Sequence, residues 1–181
     1  IYYTAKDSSG KSDQVFSYNV ETKEIYQITD SFYAINYIIP FDSKIFIAGA
    51  SKNRRNVVVS PYIYDLKKNK LRDIGWDNDL NISFVNYNPN SNEFIASGYS
   101  ISKNLENIEN QQNNIPYIEP TNYLFSINED QHSLLYETQE YIKSVVINNE
   151  NYYFSNYKQN LFKLNRNKNI QEIVLNGIKF E

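Results

Sequence analysis

The sequence predicts an all-β fold: a β-propeller-like array of about four four-stranded antiparallel blades, either a partial ring of a larger propeller or a small closed one. Three observations predict it. A hairpin unit recurs four times, as an aromatic, any residue, an aliphatic, a polar turn and a second aliphatic. Its leading aromatics, Tyr18, Tyr64, Phe125 and Phe162, are spaced 46, 61 and 37 residues apart. A period in the forties built of short hairpins is what stacked blades require, since each unit buries its face on the next. The apolar runs are rich in Tyr, Phe, Ile and Val, which suit a pleated surface, and no window carries a helical period.

The first unit has strands at 1–5, 14–20 and 25–29, with the polar loop 6–13 between the first two, and it lacks one strand. The second runs through 33–41, 44–50 and 57–66, and its return strand ends at Ile74. In the third, strands at 82–87 and 93–99 flank the turn Asn88-Pro89-Asn90-Ser91-Asn92, where Pro and Asn supply turn geometry, and 123–127 and 134–137 follow. The fourth has strands at 142–148, 152–156, 161–164 and 170–174, and a short strand at 177–180 ends the chain. That last strand is one candidate for the strand missing from the first unit. Second strands close on small residues (Thr4-Ala5, Ala48-Gly49, Ala96-Ser97-Gly98, Ser155), which lets neighbouring strands crowd together. The whole chain, 1–181, reads as one domain with a polar insertion at 100–121. The insertion is rich in Asn, Gln and Glu, so it predicts a partly ordered surface loop, pinned by Ile108, Ile115, Tyr117 and Ile118. A Met-free chain that opens inside a strand pattern is expected to be a segment of something longer, which favours the incomplete ring.

Composition narrows the function classes. Aromatics make up 15% of the 181 residues and supply buried area without disulfides, because Cys is absent. That absence also excludes thiolate chemistry. The net charge is −3, and the longest basic cluster, Lys67-Lys68-Asn69-Lys70-Leu71-Arg72, sits at a hairpin turn, so no nucleic-acid partner is expected. No stretch approaches the roughly 20 apolar residues of a membrane span. Open blade edges give a capacity for self-association.

Two segments resemble the TolB-type, WD40-like propeller repeat. Asn88-Pro89-Asn90-Ser91-Asn92-Glu93-Phe94-Ile95-Ala96-Ser97 resembles its turn and its apolar strand ending in small residues. Residues 1–29 resemble the remainder, with Gln27-Ile28-Thr29 as the hairpin end, and Ile63-Tyr64-Asp65-Leu66 is the closest single match. The fourth unit departs from the pattern, with Asn148-Asn149-Glu150-Asn151 as its turn. The resemblance implies a fold shared by interaction proteins, peptidase-linked propellers and sugar-processing enzymes. It also implies a bacterial, extracytoplasmic setting.

No nucleophile, metal or cofactor constellation stands out. The sole His, His132, reads as a solvated turn residue beside Glu129 and Asp130. Asp77-Asn78-Asp79-Leu80-Asn81 places oxygen donors at alternate positions but lacks the Gly and Glu of a calcium loop, and reads as a turn. Glu137 and Glu140 form a carboxylate pair in a connection between units, with nothing to support or exclude acid/base work. Propeller geometry instead points to the face carrying the loops at 6–13, 51–56, 100–121 and 157–159. On it, Arg54, Arg55, Trp76, Tyr99 and Tyr117 are the expected contact residues, since Trp, Tyr and Arg dominate binding hot spots. The expected function is therefore a non-catalytic domain, without cofactor or metal, that binds a protein partner or extracellular ligand through that face. The alternatives are the propeller portion of a hydrolase or sugar-processing enzyme, and a structural scaffold.

Overall fold

The structure, a computed structural model, describes residues 1–116, 121–128, 131–148, 151–156 and 158–173. It divides into two compact units, Ile1–Asn81 and Ile82–Glu181. The proposed strand at 177–180 and Tyr117 lie outside the described residues.

The first unit holds a three-stranded sheet of β1 (Tyr2–Lys6), β2 (Asp13–Tyr18) and β3 (Ile25–Gln27), then a four-stranded sheet of β4 (Phe32–Phe41), β5 (Lys44–Ser51), β6 (Val59–Asp65) and β7 (Lys70–Asp73). The second unit opens with β8 (Leu80–Asn88), which begins at the boundary, and β9 (Glu93–Ser100), followed by α1 (Ile101–Gln112). β10 (Asn122–Ile127) and β11 (His132–Thr138) complete that sheet, and β12 (Ile142–Asn148), β13 (Asn151–Asn156), β14 (Leu161–Asn165) and β15 (Ile170–Ile173) form the last one. Every sheet is an antiparallel meander of sequence neighbours, as the repeat predicts.

The hairpins share a local cause. An Asx residue opens the outer turn of each sheet and accepts a backbone N–H two to four residues on: Asn19 from Glu21, Asp65 from Lys67, Asn128 from Gln131 and Asn165 from Asn169, all at 3.0 Å. The side chain thus imitates a backbone turn bond. Three of these turns then place Lys23, Asn69 and Lys168 at φ of 59°, 52° and 62°. Thr29, at the end of the first hairpin, is buried, accepts the Val15 N–H at 3.0 Å and donates to Gln14 at 3.0 Å. Gln14 in turn donates to the Phe32 carbonyl, so this buried polar trio is satisfied.

Each unit has its own apolar core. Val15, Phe32, Ile45, Ile47, Tyr62 and Tyr64 cluster in the first, and Ile95, Leu124, Val145, Tyr152, Phe154 and Leu164 are central to the second. Small residues on the second strands have a visible reason at Gly49: a Cβ there would come within 2.8 Å of the Phe32 ring and 2.9 Å of the Ala34 carbonyl oxygen. In the last two sheets, hydroxyl pairs bridge the first and second strands, Ser83 with Ser97 at 3.0 Å and Ser144 with Ser155 at 2.7 Å.

The insertion differs from expectation, because most of it is helix. Ser100 caps α1, its hydroxyl accepting the Lys103 N–H. The inward positions recur every three residues as Asn104, Asn107 and Asn110, with Asn107 buried, while Leu105 and Ile108 are exposed. The packed face is polar and the apolar side chains point outward, so an apolar period has nothing to register. Ile108 and Ile115 do not pin this segment, as both are exposed.

Candidate functional site

Three side-chain clusters concentrate the chemistry, one in the first unit and two in the second. In the first unit, the turn after β5 carries Arg54 and the link after β7 carries Trp76. The Arg54 guanidinium makes a two-pronged bond to Asp73, at 2.9 and 2.6 Å, and also donates to the Trp76 carbonyl at 2.7 Å and to Asn78 at 3.3 Å. It lies over the Tyr62 ring, 5.8 Å from its centroid. Trp76 is 2% exposed, and its indole N–H donates to the Leu80 carbonyl at 2.8 Å. Arg54 and Trp76 are therefore brought together, with their polar groups turned into the fold. Arg55 is exposed in the same loop, and Tyr99 is half-buried near the end of β9. The Asx turn continues this cluster, Asp77 accepting the Asp79 N–H at 2.7 Å.

A planar fork on four acceptor atoms cannot be replaced by a point charge. Arg54→Lys is expected to lower the stability of residues 1–81 by about 1–2 kcal/mol. A lower urea midpoint by Trp76 fluorescence checks this, and an unchanged midpoint refutes it.

In the second unit, Glu93 opens β9 and is 8% exposed. It accepts hydrogen bonds from Ser126 of β10 and from the Tyr152 hydroxyl of β13 at 2.8 Å, and Arg166 approaches at 3.3 Å. Burial, and secondarily the bond to Glu93, pushes the Tyr152 hydroxyl up to about 12. Every donor here is spoken for by one carboxylate. The cluster ties strands of two sheets together, and none of its residues lines either described cleft.

The third cluster does line one. A cleft of about 300 Å³ opens beside the connection from β11 to β12. Antiparallel register builds it: Ile142 pairs with Asn156, and Ser155 with Leu161, so the start of β12, the end of β13 and the start of β14 meet at one end of the sheet. Its wall is a run of three aromatic rings. Tyr136 and Phe154 lie 5.4 Å apart between centroids, and Phe154 and Phe162 stack at 5.2 Å with an interplanar angle of 20°. Gln139, Glu140 and Asn156 supply its polar side. Glu140 accepts from Asn156 and, at 3.0 Å, from Lys158. The Lys158 bond first, and the Asn156 bond next, hold its carboxyl below the usual carboxylate range. Glu140 is thus ionised at neutral pH and acts as an acceptor rather than an acid. Glu137 is exposed on β11 and is not part of the lining, so the two carboxylates do not face a common space.

The first unit has a cleft of about 450 Å³ bordered by Asp30, Tyr64 and Asn69, but it has a single aromatic ring, whose hydroxyl already donates to Asn69. His132 is not a turn residue: it begins β11, half-buried, with its ring edge-on to Phe125 at 5.8 Å.

No family model matches this sequence, and no curated protein matches it either. Solved structures do resemble it. An oligogalacturonate lyase from Vibrio parahaemolyticus superposes with a TM-score of 0.59 at 10% identity, covering 94% of this chain and 58% of the lyase. An oligogalacturonate lyase in complex with manganese gives 0.65 at 9% identity, covering 95% and 59%. A prolyl endopeptidase gives 0.60 at 7% identity, covering 96% and 26%. This chain therefore spans less than two thirds of each. Among the described residues, no three His, Cys, Asp or Glu side chains converge as metal ligands. The likeness shows the fold, an all-β propeller-like arrangement of antiparallel sheets. It also corrects the expectation of a non-catalytic binding domain, because the structures that share this arrangement include enzymes.

Proposed function

We propose that this chain is the propeller portion of a sugar-processing enzyme and that the Glu140 cleft binds a saccharide. The observation that carries the reading is the cleft itself, an aromatic wall facing a carboxylate and two amides. Sugar rings present apolar C–H faces and a rim of hydroxyls, so they are matched by aromatic side chains on one side and planar polar groups on the other. A cavity of about 300 Å³ is at the small end for ligand sites, the size of a ring or two. The oligogalacturonate lyases that share the arrangement act on saccharides, as their names state, which supports the same reading.

Glu140, held ionised, accepts hydrogen bonds from sugar hydroxyls, and Gln139 donates to them. The TolB-type character of the repeat and an extracytoplasmic setting belong to this proposal, since enzymes acting on polysaccharides meet them outside the cell.

The test is calorimetric titration of the protein with a panel of oligosaccharides, alongside an assay for new reducing ends on polysaccharides. Binding that is lost in Phe162→Ala, with the circular dichroism spectrum retained, is the expected result. A panel in which no saccharide binds and none is cleaved overturns the reading.

A further inference from the structure

We infer that the Glu140 cleft selects a neutral pyranose with adjacent hydroxyls and rejects a uronate, an inference that rests on the cleft being a saccharide site. The argument is one of charge and of unused hydrogen-bonding capacity. Among the described residues, no Lys or Arg lines the cavity. The cation beside it, Lys158, is already bonded to Glu140 at 3.0 Å, so the pair is neutral and leaves no free positive charge for an incoming carboxylate.

What remains unused is suited to hydroxyls. Each Glu140 oxygen has a lone pair beyond those taken by Asn156 and Lys158. The Thr138 oxygen accepts the Glu140 N–H at 3.0 Å and keeps its own proton to donate. Asn156 is held in place by the Asn160 N–H at 2.9 Å and orients Glu140 rather than reaching outward. The Gln139 amide offers both a donor and an acceptor at the rim. Adjacent hydroxyls can donate to Glu140 and accept from Gln139 or Thr138 at once. A carboxylate can only accept, so it would find no donor on Glu140 and no unengaged cation beside it, and it would approach a like charge whose counter-ion, Lys158, is already bonded. The cleft therefore differs in chemistry from a site built for galacturonate.

Titration of the full chain with a neutral galacto-tetrasaccharide and with tetragalacturonate, in metal-free low-salt buffer, separates the outcomes. The wild type is expected to bind the neutral sugar at least tenfold more tightly. Glu140→Gln should narrow that gap by raising uronate affinity, and Lys158→Gln, which strips the counter-charge, should widen it. A uronate bound as tightly as the neutral sugar, or a gap that neither variant moves, overturns this inference while leaving the saccharide reading standing. If neither sugar binds, the saccharide reading and this inference both fall. Folding of both variants is checked by circular dichroism, and the gap in the wild type is read without them.

Discussion

Glu93→Ala is expected to lower the stability of residues 82–181 by about 3 kcal/mol, because a buried acceptor is removed from beneath two hydroxyls. The magnitude follows from which partner matters. Arg166 is half exposed and 3.3 Å away, so its ion pair is screened by water and contributes little. Tyr152 is 2% exposed and loses the acceptor at 2.8 Å, and the half-buried Ser126 loses the same carboxylate, so two donors are orphaned, one of them fully buried. Each orphan costs about 1–3 kcal/mol. Glu93→Gln, which keeps an acceptor oxygen, should cost about half as much, and Glu93→Ala with Tyr152→Phe should cost less than the sum of the two single changes. Hydrogen exchange of amides in 122–127 and 151–156 reads the effect directly, and protection factors within threefold of wild type in Glu93→Ala would refute it. The same contact sets an alkaline limit. The Tyr152 hydroxyl is pushed up to about 12, so the unfolded chain ionises first as pH climbs past 10. Between pH 10 and 12 the unfolded state binds fewer protons than the native one, and stability falls with pH across that window while being fully present below it. Tyr152→Phe should flatten that limb.

The repeat was legible in sequence where local chemistry determines structure. The turns of Glu21-Thr22-Lys23-Glu24 and Lys67-Lys68-Asn69-Lys70 were readable as turns because polar residues interrupt alternating strands, and the observed β4 to β7 fall within two or three residues of the predicted spans. The Asx residues that close them, Asn19 and Asp65, were visible too, although their role is a bond that only the folded turn reveals. What failed was the rule that helices are found by an apolar face: α1 packs through Asn107 and exposes Leu105. The candidate cleft was hidden for a different reason. Tyr136, Phe154 and Phe162 come from three strands and are brought together by register, so no local spacing marks them. The sequence marks Glu140 only as half of a carboxylate pair, and the fold separates the two, because Glu137 is exposed on β11 and outside the cleft lining. Arg54 and Trp76 were found by residue type. Type alone does not tell a contact surface from an internal clamp, and the saturation of the guanidinium is a property of the fold.

Gly49→Ala is expected to cost about 2–3 kcal/mol in the first unit, although it adds one methyl group to a strand that β propensity alone would favour with it. Substituting Gly in a strand interior ordinarily stabilises, because the unfolded chain loses freedom. Here the sign reverses on steric grounds. The new Cβ would sit 2.8 Å from the Phe32 ring and 2.9 Å from the Ala34 carbonyl oxygen, closer than carbon atoms tolerate. Phe32 has no room to retreat: it is fully buried and packs edge-on against Tyr62 at 5.1 Å. The carbonyl belongs to β4, which pairs with β5 from Phe32 to Phe41 with irregularities between Phe32 and Ala34 and between Ile35 and Tyr37, so relief requires moving a strand rather than a side chain. Phe32→Leu in the Gly49→Ala background should recover part of the loss, because a smaller side chain clears the ring contact but leaves the carbonyl contact in place. A Trp76 fluorescence melt measures all three proteins, since that indole is buried in the same unit. A Gly49→Ala protein as stable as the wild type would mean that close strand approach is not why this position is glycine, and a double variant no better than the single one would place the whole strain on the backbone.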